Sequence, residues 1–86
     1  MAQAEAEKPI GHISHFFSQI EVGIIELQEP LRVGEKVHFK GHTTDFVQTI
    51  TSMQLEHQEV QEAQAGQSVG IKVAQHVREG DKVYRA

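Results

Sequence analysis

Short β-branched runs separated by glycine turns are the feature that most constrains how this chain folds. Gly34–Val37, Gly66–Val69 and Gly80–Val83 share one signature, in which a glycine and two polar residues precede a valine. Glycine adopts positive φ without steric cost, so each signature predicts a turn that leads into a strand. The chain is therefore expected to form a sheet of short strands.

The runs that follow these turns alternate apolar and polar residues with period two. Such alternation is typical of strands with one buried face. The composition agrees, because Ile and Val together number 16 against three Leu, and β-branched residues favour strands over helices. The pattern predicts one shared core that contains Val37, Phe39, Met53, Leu55, Val69, Ile71 and Val73.

Two apolar-rich runs near the start of the chain predict a β-hairpin. Gly11–Phe17 and Val22–Gln28 are separated by Ser18–Glu21, which has the length of a hairpin loop. Pro30 is expected to close the second strand, because proline has no backbone N–H to donate to a ladder.

The segment Phe46–His57 admits two interpretations. As one long strand it places Val47, Thr49, Thr51, Met53 and Leu55 on a single face. As a helix it would begin with a capping box at Thr51–Gln54 and continue through residues rich in Glu, Gln and Ala. The helix would lack a clean apolar stripe to bury, so the pattern favours a strand followed by a turn.

These elements predict an all-β domain, a small closed six-stranded Greek-key β-barrel over residues 10–86. Closing the sheet removes the edges through which strands pair with other chains. Residues 1–9 lack an apolar anchor before Pro9, so they are expected to form a mobile tail. The 86 residues are enough for one compact core.

Charge and composition limit the partners that the chain can have. The formal net charge is −4 and no basic run occurs, which disfavours binding to free nucleic acid by counterion release. The opening residues are acidic where a targeting segment would be basic, and no apolar run exceeds two residues. With no Cys in the sequence, disulfides are excluded, and a cytoplasmic location is expected.

From Gly11 onward the chain resembles the β-barrel domain that follows the GTPase domain of elongation factor Tu. The resemblance is carried by Val22–Leu27, Leu31–Val37, Ser52–His57, Ala63–Ile71 and Arg78–Val83. Lys40–Thr49 is similar to a segment of the small stand-alone translation elongation factor-like proteins. This resemblance implies a translation-factor type of barrel that engages a ribosomal, tRNA or protein partner.

The same stretch is similar to the C-terminal barrel domain of the collagenase-like peptidase family, some members of which modify tRNA or ribosomal RNA. Phe46–Met53 and Ile71–Gln75 carry this second resemblance. It implies the same fold and an alternative function. The chain would then be an accessory subunit that stands in for the barrel domain of a peptidase-like RNA-modifying enzyme.

Neither resemblance implies catalysis by this chain, and no cofactor is expected. The translation factors split GTP in a separate domain, and this sequence lacks the Gly-Lys dipeptide that a phosphate-binding loop of that type requires. We therefore expect a non-catalytic binding module with a protein or ribonucleoprotein partner. Binding to free RNA should be weak, and no binding of GTP or membranes is expected.

The histidines are the main compositional excess, with six in 86 residues. His12 and His15 are an odd number of residues apart, so on a regular strand they would point to opposite faces. Neither this spacing nor a cysteine supports a tetrahedral metal site. The sequence therefore predicts surface histidines and no metal.

Two features are candidate contacts with a partner. Phe16 and Phe17 are adjacent on a predicted strand, so only one ring can enter the core and the other must lie outside. The segment from Lys40 through His42, Thr43, Thr44 and Asp45 offers a polar loop between two strands. Its alternative interpretation is a plain turn, in which Gly41 adopts positive φ and Asp45 bonds nearby backbone.

Overall fold

The computed structural model describes residues 8–86, and within that range it contains ten β-strands and no helix. Residues 1–7, which make up most of the predicted tail, lie outside the described residues. The strands are β1 (Gly11–Phe17), β2 (Val22–Leu27), β3 (Leu31–Arg32), β4 (Lys36–Lys40), β5 (Asp45–Thr49), β6 (Met53–Leu55), β7 (Gln58–Val60), β8 (Glu62–Ala63), β9 (Ser68–Lys72) and β10 (Lys82–Arg85). The predicted all-β class is confirmed, and residues 8–86 hold no helix of the length and apolarity needed to cross a membrane.

Eight of these strands form one curled sheet in the order β5-β4-β10-β1-β2-β9-β6-β7, and β3 pairs with β8 in a second, two-stranded sheet. The prediction of a closed six-stranded barrel is therefore wrong, because the large sheet is a half-barrel whose edge strands β5 and β7 do not pair with each other. The pairings across both sheets are antiparallel.

A side-chain amide spans the gap that backbone pairing leaves open beside β5. The Gln48 Nε2 donates to the Lys72 carbonyl at 3.0 Å, and the Gln48 Oε1 accepts from the Ala74 backbone N–H at 2.8 Å. A primary amide carries the same donor and acceptor as a peptide group. Gln48 thus joins the edge strand to the end of β9, where a closed barrel would have a backbone ladder.

The predicted long strand from Phe46 to His57 is broken in the middle. Ile50 leaves the ladder and exchanges backbone hydrogen bonds with the turn before β4, accepting from Gly34 N–H and donating to the Glu35 carbonyl. The break changes the phase of burial, so Val47 is 53% exposed whereas Met53 is fully buried. The prediction of strand over helix is confirmed, but the single shared face is wrong.

The core lies inside the curl of the sheet and contains the predicted set. Val37, Phe39, Met53, Val69, Ile71 and Val73 are buried in one cluster, and Leu55 packs against it from a half-buried position. The same cluster includes the stacked rings of Phe39 and Phe46, with centroids 5.0 Å apart. The period-two assignment of the core is therefore confirmed.

The three glycine signatures are confirmed as turns, with φ of 100° at Gly34, 90° at Gly66 and 93° at Gly80. Gly41 is different, and the prediction of positive φ there is wrong, since it is absent from the residues with that conformation. A Cβ at Gly41 would collide with the Asp81 carboxylate. The close approach of Asp81, a buried residue whose Oδ2 accepts from Arg78 N–H at 2.9 Å, accounts for the glycine.

A register shift in β1 overturns the prediction that His12 and His15 point to opposite faces. The pairing with β2 is irregular between Ile13 and His15, so His12 lies opposite Glu26 while His15 lies opposite Ile24. Glu26 and Ile24 are two residues apart and share a face. The bulge therefore puts both histidines on the outer face, where each lies near a glutamate.

Replacement of Ile71 by Ala should destabilise the protein by about 2–5 kcal/mol, the usual cost of truncating a buried isoleucine. Ile71 is 1% exposed and belongs to the central cluster. Urea unfolding measures the loss. The control is Val47→Thr on the exposed side of β5, which should stay within about 0.5 kcal/mol of the unmodified protein. If Ile71→Ala loses as little stability as Val47→Thr, the assigned core is wrong.

Replacement of Gln48 by Met keeps the side chain's length and removes both hydrogen bonds across the gap. Stability should fall by about 1–3 kcal/mol, because each of the two bonds contributes about 0.5–1.5 kcal/mol. Hydrogen exchange at the Ala74 amide should accelerate. Gln58→Met, at an exposed position on β7, is the matched control. Unchanged exchange at Ala74 would show that Gln48 does not hold the half-barrel together.

Candidate partner-binding groove

The outer face of the sheet across β1, β2, β9 and β6 is the setting of the candidate site. Phe17 lies directly opposite Val22, and Ile24 lies opposite Gly70. Residues that face each other across antiparallel strands project from the same side of the sheet. An apolar strip therefore runs over these strands on the side away from the core.

This strip forms a groove of about 270 Å³. Its apolar wall consists of Phe17, Ile20, Val22 and Ile24, of which Phe17 is 45% exposed and Ile20 is 60% exposed. Gly70 leaves the space between them open, because a Cβ there would lie 3.3 Å from the Val22 Cγ1 and 3.4 Å from the Ile24 Cδ1. A residue with a side chain at position 70 would fill the groove.

The rim of the groove is polar and contains a strained turn. Gln54, Glu56, His57 and Ser68 complete the lining. Glu56 and His57 are the two central residues of the β6–β7 hairpin and have φ of 52° and 67°. Positive φ at both positions is the mark of a type I′ turn, which favours Asn-Gly. Two residues other than glycine thus have a left-handed backbone conformation at the mouth of an apolar groove.

The structure distinguishes the two adjacent phenylalanines. Phe16 is half-buried and packs against the core, with its ring edge-on to His76 at a centroid distance of 4.7 Å. Phe17 projects outward, and its ring centroid lies 4.6 Å from that of the His15 ring. Only Phe17 lines the apolar groove, so it is the member of the pair that a partner can contact there.

The predicted loop lies elsewhere on the sheet. Cross-strand pairing aligns Asp45, Lys40, Lys82 and His12 in one row. Phe17 lies roughly 15 Å farther along β1, at about 3.3 Å per residue, and β10 intervenes between the strand of Lys40 and the groove. The two features that the sequence offered as contacts are therefore not brought together into one site.

Within the loop, exposure varies from residue to residue. His42 and Thr43 are exposed, whereas Thr44 is only 4% exposed. The loop is closed by a hydrogen bond from Gly41 N–H to the Thr44 carbonyl at 2.7 Å. This arrangement leaves His42 and Thr43 as the side chains of the loop tip that a partner could reach.

Asp45 pairs with His38 on the neighbouring strand instead of with nearby backbone. The Asp45 Oδ1 lies 2.5 Å from the His38 Nε2. This hydrogen bond lowers the pKa of the Asp45 carboxyl, desolvation opposes the shift, and the charges of His38 and Lys40 add to the lowering. Within residues 8–86, no serine or threonine hydroxyl is hydrogen-bonded to His38.

In the part of the chain that the structure describes, no group of three or more His, Cys, Asp or Glu side chains could hold an ion. The histidines of β1 instead form separate contacts, His12 with Glu26 at 3.5 Å and His15 with Glu79 at 3.3 Å.

Sequence reasoning missed most of the groove. Ile24 and Ile25 are adjacent on β2, and the argument applied to the two phenylalanines would have placed one of these isoleucines on the outer face. Ile25 is fully buried, and Ile24 is the outward one. Glu56 and His57 carry little turn signal in the sequence, because neither is one of the Gly, Asn or Asp residues that dominate type I′ turns.

Replacing Glu56 by Asn and His57 by Gly together should stabilise the protein by about 1–3 kcal/mol. Relief of the left-handed conformation returns about 1–2 kcal/mol per residue, and the added backbone freedom of glycine takes back about 0.5–1 kcal/mol. Thermal and urea unfolding measure the change. His42→Gly, in a loop whose residues lack positive φ, is the control and should bring no gain. A loss of stability in the double variant would contradict the strained turn.

The chain is similar in sequence to one region of two larger proteins. The chain is 40% identical over 76 residues to an uncharacterized protease of Methanocaldococcus jannaschii, a match that covers 87% of the chain and 19% of the protease. It is 32% identical over 78 residues to a collagenase of Porphyromonas gingivalis, covering 88% of the chain and 22% of the collagenase. The chain thus spans about a fifth of the length of these curated relatives. No protein-family model matches it.

Among solved structures, the C-terminal domain of a Geobacillus thermoleovorans protein named as a U32 peptidase superposes with a TM-score of 0.86 at 20% identity. The match covers 91% of this chain and 99% of that domain. The translation-factor part of the sequence resemblance receives no support from these comparisons. The collagenase-like part does, and the chain has the fold of the U32 peptidase C-terminal domain.

Proposed function

We propose that this chain is a non-catalytic binding module that serves a peptidase-like enzyme as an accessory subunit. It would take the place that a C-terminal barrel domain has in such an enzyme. The observation that carries the proposal is the sequence match to the M. jannaschii protease, with 40% identity over 76 residues that make up 19% of that protein. The chain is similar to one segment of a much larger protein.

The described side chains support a binding role over a catalytic one. The groove is a mostly apolar concavity, with an exposed aromatic ring and two isoleucines around a floor opened by Gly70. An aromatic or aliphatic anchor region with a polar rim is the usual anatomy of a protein interface. The His38–Asp45 pair, by contrast, lies on the outer surface and has no hydroxyl nucleophile bonded to it among residues 8–86.

The sequence resemblance makes an RNA-modifying enzyme the proposed host. In that setting, contacts with RNA phosphates would come from the enzyme, because this chain has a net charge of −4. Its Lys40 and Lys82 are directly opposite each other, but Asp45 flanks them on one side. Two lysines beside an aspartate provide few phosphate contacts, so free RNA should bind weakly at physiological salt.

Affinity purification of the tagged chain from lysate, with and without nuclease, tests the proposed function. A peptidase-like enzyme should remain bound after nuclease treatment, since the contact is between proteins. Binding of the purified pair should then be measured directly. Recovery of ribosomal components that nuclease releases, with no peptidase-like enzyme in either sample, would contradict the proposal and favour a role in translation.

A further inference from the structure

We infer that the groove on the outer face takes one apolar side chain of a protein partner, and that a Lys or Arg beside this side chain pairs with Glu56. The inference deepens the proposed function, on which it rests for the partner being a protein. It assigns the contact to the groove and not to the loop from Lys40 to Asp45.

The size of the groove favours a side chain over a metabolite. Its volume of about 270 Å³ lies below the range of about 300–1,000 Å³ that is typical of small-molecule sites. The wall of Phe17, Ile20, Val22 and Ile24 is continuous and apolar. A single leucine, phenylalanine or methionine inserted there would be desolvated on several sides, as anchoring residues at interfaces are.

The charges around the groove determine which partner fits. Glu56 lines it directly, Glu26 lies opposite the lining residue Ser68, and Glu59 lies opposite the lining residue Gln54. Glu26 has a contact with His12 at 3.5 Å, whereas neither Glu56 nor Glu59 forms an ion pair with another residue of the 8–86 range.

Among the Lys and Arg residues of the 8–86 range, Lys72 is the one that pairs with a groove residue, since it lies opposite Val22 at the end of β9. None of the Lys and Arg residues in that range lines the groove itself. The field at the mouth is therefore negative on balance. Complementarity of charge selects a partner segment with basic residues and disfavours an acidic one.

The backbone at the rim provides a second, independent argument. Glu56 and His57 adopt φ of 52° and 67°, in a turn where Asn-Gly would be unstrained. Strained backbone persists where the surrounding structure imposes it, and it occurs often at binding sites. Here the strain places a carboxylate at the edge of the groove, and an Asn-Gly turn would remove that carboxylate.

Three short peptides test the inference without any enzyme. The first has a central leucine flanked by arginines, the second has the leucine flanked by glutamates, and the third has serine in place of leucine between arginines. Amide chemical shifts of the isotope-labelled protein report both affinity and position. The first peptide should shift the signals of Ile20, Glu56 and Gly70, and bind at least about tenfold more tightly than the others, a difference of about 1.4 kcal/mol.

Matched variants separate the groove from the rest of the surface. Ile20→Ser should weaken the first peptide about tenfold, while Val47→Ser, at a similarly exposed apolar position on β5 (53% against 60%), should leave its affinity unchanged. The Glu56→Lys variant should bind the glutamate-flanked peptide more tightly than the arginine-flanked one. The Glu62→Lys variant, altered on β8, should still prefer the arginine-flanked peptide. Because Ile20, Val47, Glu56 and Glu62 are exposed, these variants should fold normally.

Several outcomes would overturn the inference. These are equal binding of the basic and acidic peptides, shifts that map to Gly41–Asp45, absence of any shift at millimolar peptide, or groove shifts that depend on protein concentration alone, which would indicate a second copy as occupant. If the basic peptide binds in the groove but no peptidase-like enzyme copurifies, the inference stands and the proposed function fails. If such an enzyme binds equally well to Ile20→Ser and Glu56→Lys, the proposed function stands and the inference fails.

Discussion

The amide of Gln48 is the interaction on which the shape of this protein depends. The eight-stranded sheet curls around the core without closing, and this side chain connects β5 to Lys72 and Ala74 at the end of β9. Each such hydrogen bond contributes about 0.5–1.5 kcal/mol. By pairing as a peptide group would, Gln48 ties the edge strand β5 to the end of β9 across the open side of the curl, around a core that includes Phe39, Phe46 and Ile71.

Because only the inner face of the sheet packs against the core, the outer face is available to bind a partner. Two pairs of adjacent apolar residues divide between the faces, so that Ile25 enters the core while Ile24 lines the groove, and Phe16 packs inward while Phe17 lies outside. The inward members stabilise the fold, and the outward members have no partner within the curl. Together with Gly70 and the strained turn at Glu56 and His57, they form an apolar groove with a polar rim, which is the candidate interface.

The regular part of the fold could be predicted because local rules decide it. The glycine turns before β4, β9 and β10, the first hairpin and the inward residues of the core follow from φ preference and period two. What the sequence could not show were tertiary effects on single residues. The bulge near Ser14 turned His15 outward, the bonds of Ile50 to the Gly34 turn broke a strand, and Asp81 required the glycine at position 41.

The candidate site was only partly predictable for the same reason. A local argument placed one of Phe16 and Phe17 outside without deciding which, whereas the groove needs β1, β2, β9 and β6 to lie side by side in an order that is not the chain order. The loop from Lys40 to Asp45 attracted attention as a polar cluster, yet Thr44 is buried there and Asp45 is engaged by His38. The mixture of polar side chains in this loop indicated the binding site less well than the order in which the strands lie side by side.

Hydrogen exchange of the protein, free and bound to the partner recovered from lysate, tests the central claim most directly. Exchange reports opening at each backbone amide and therefore locates the contact surface. The groove predicts slower exchange on binding in the turns at Ser18–Glu21 and Glu56–Gln58, with no change in the loop at Gly41–Thr44. Slower exchange confined to that loop would contradict the account and place the interface at the other end of the sheet.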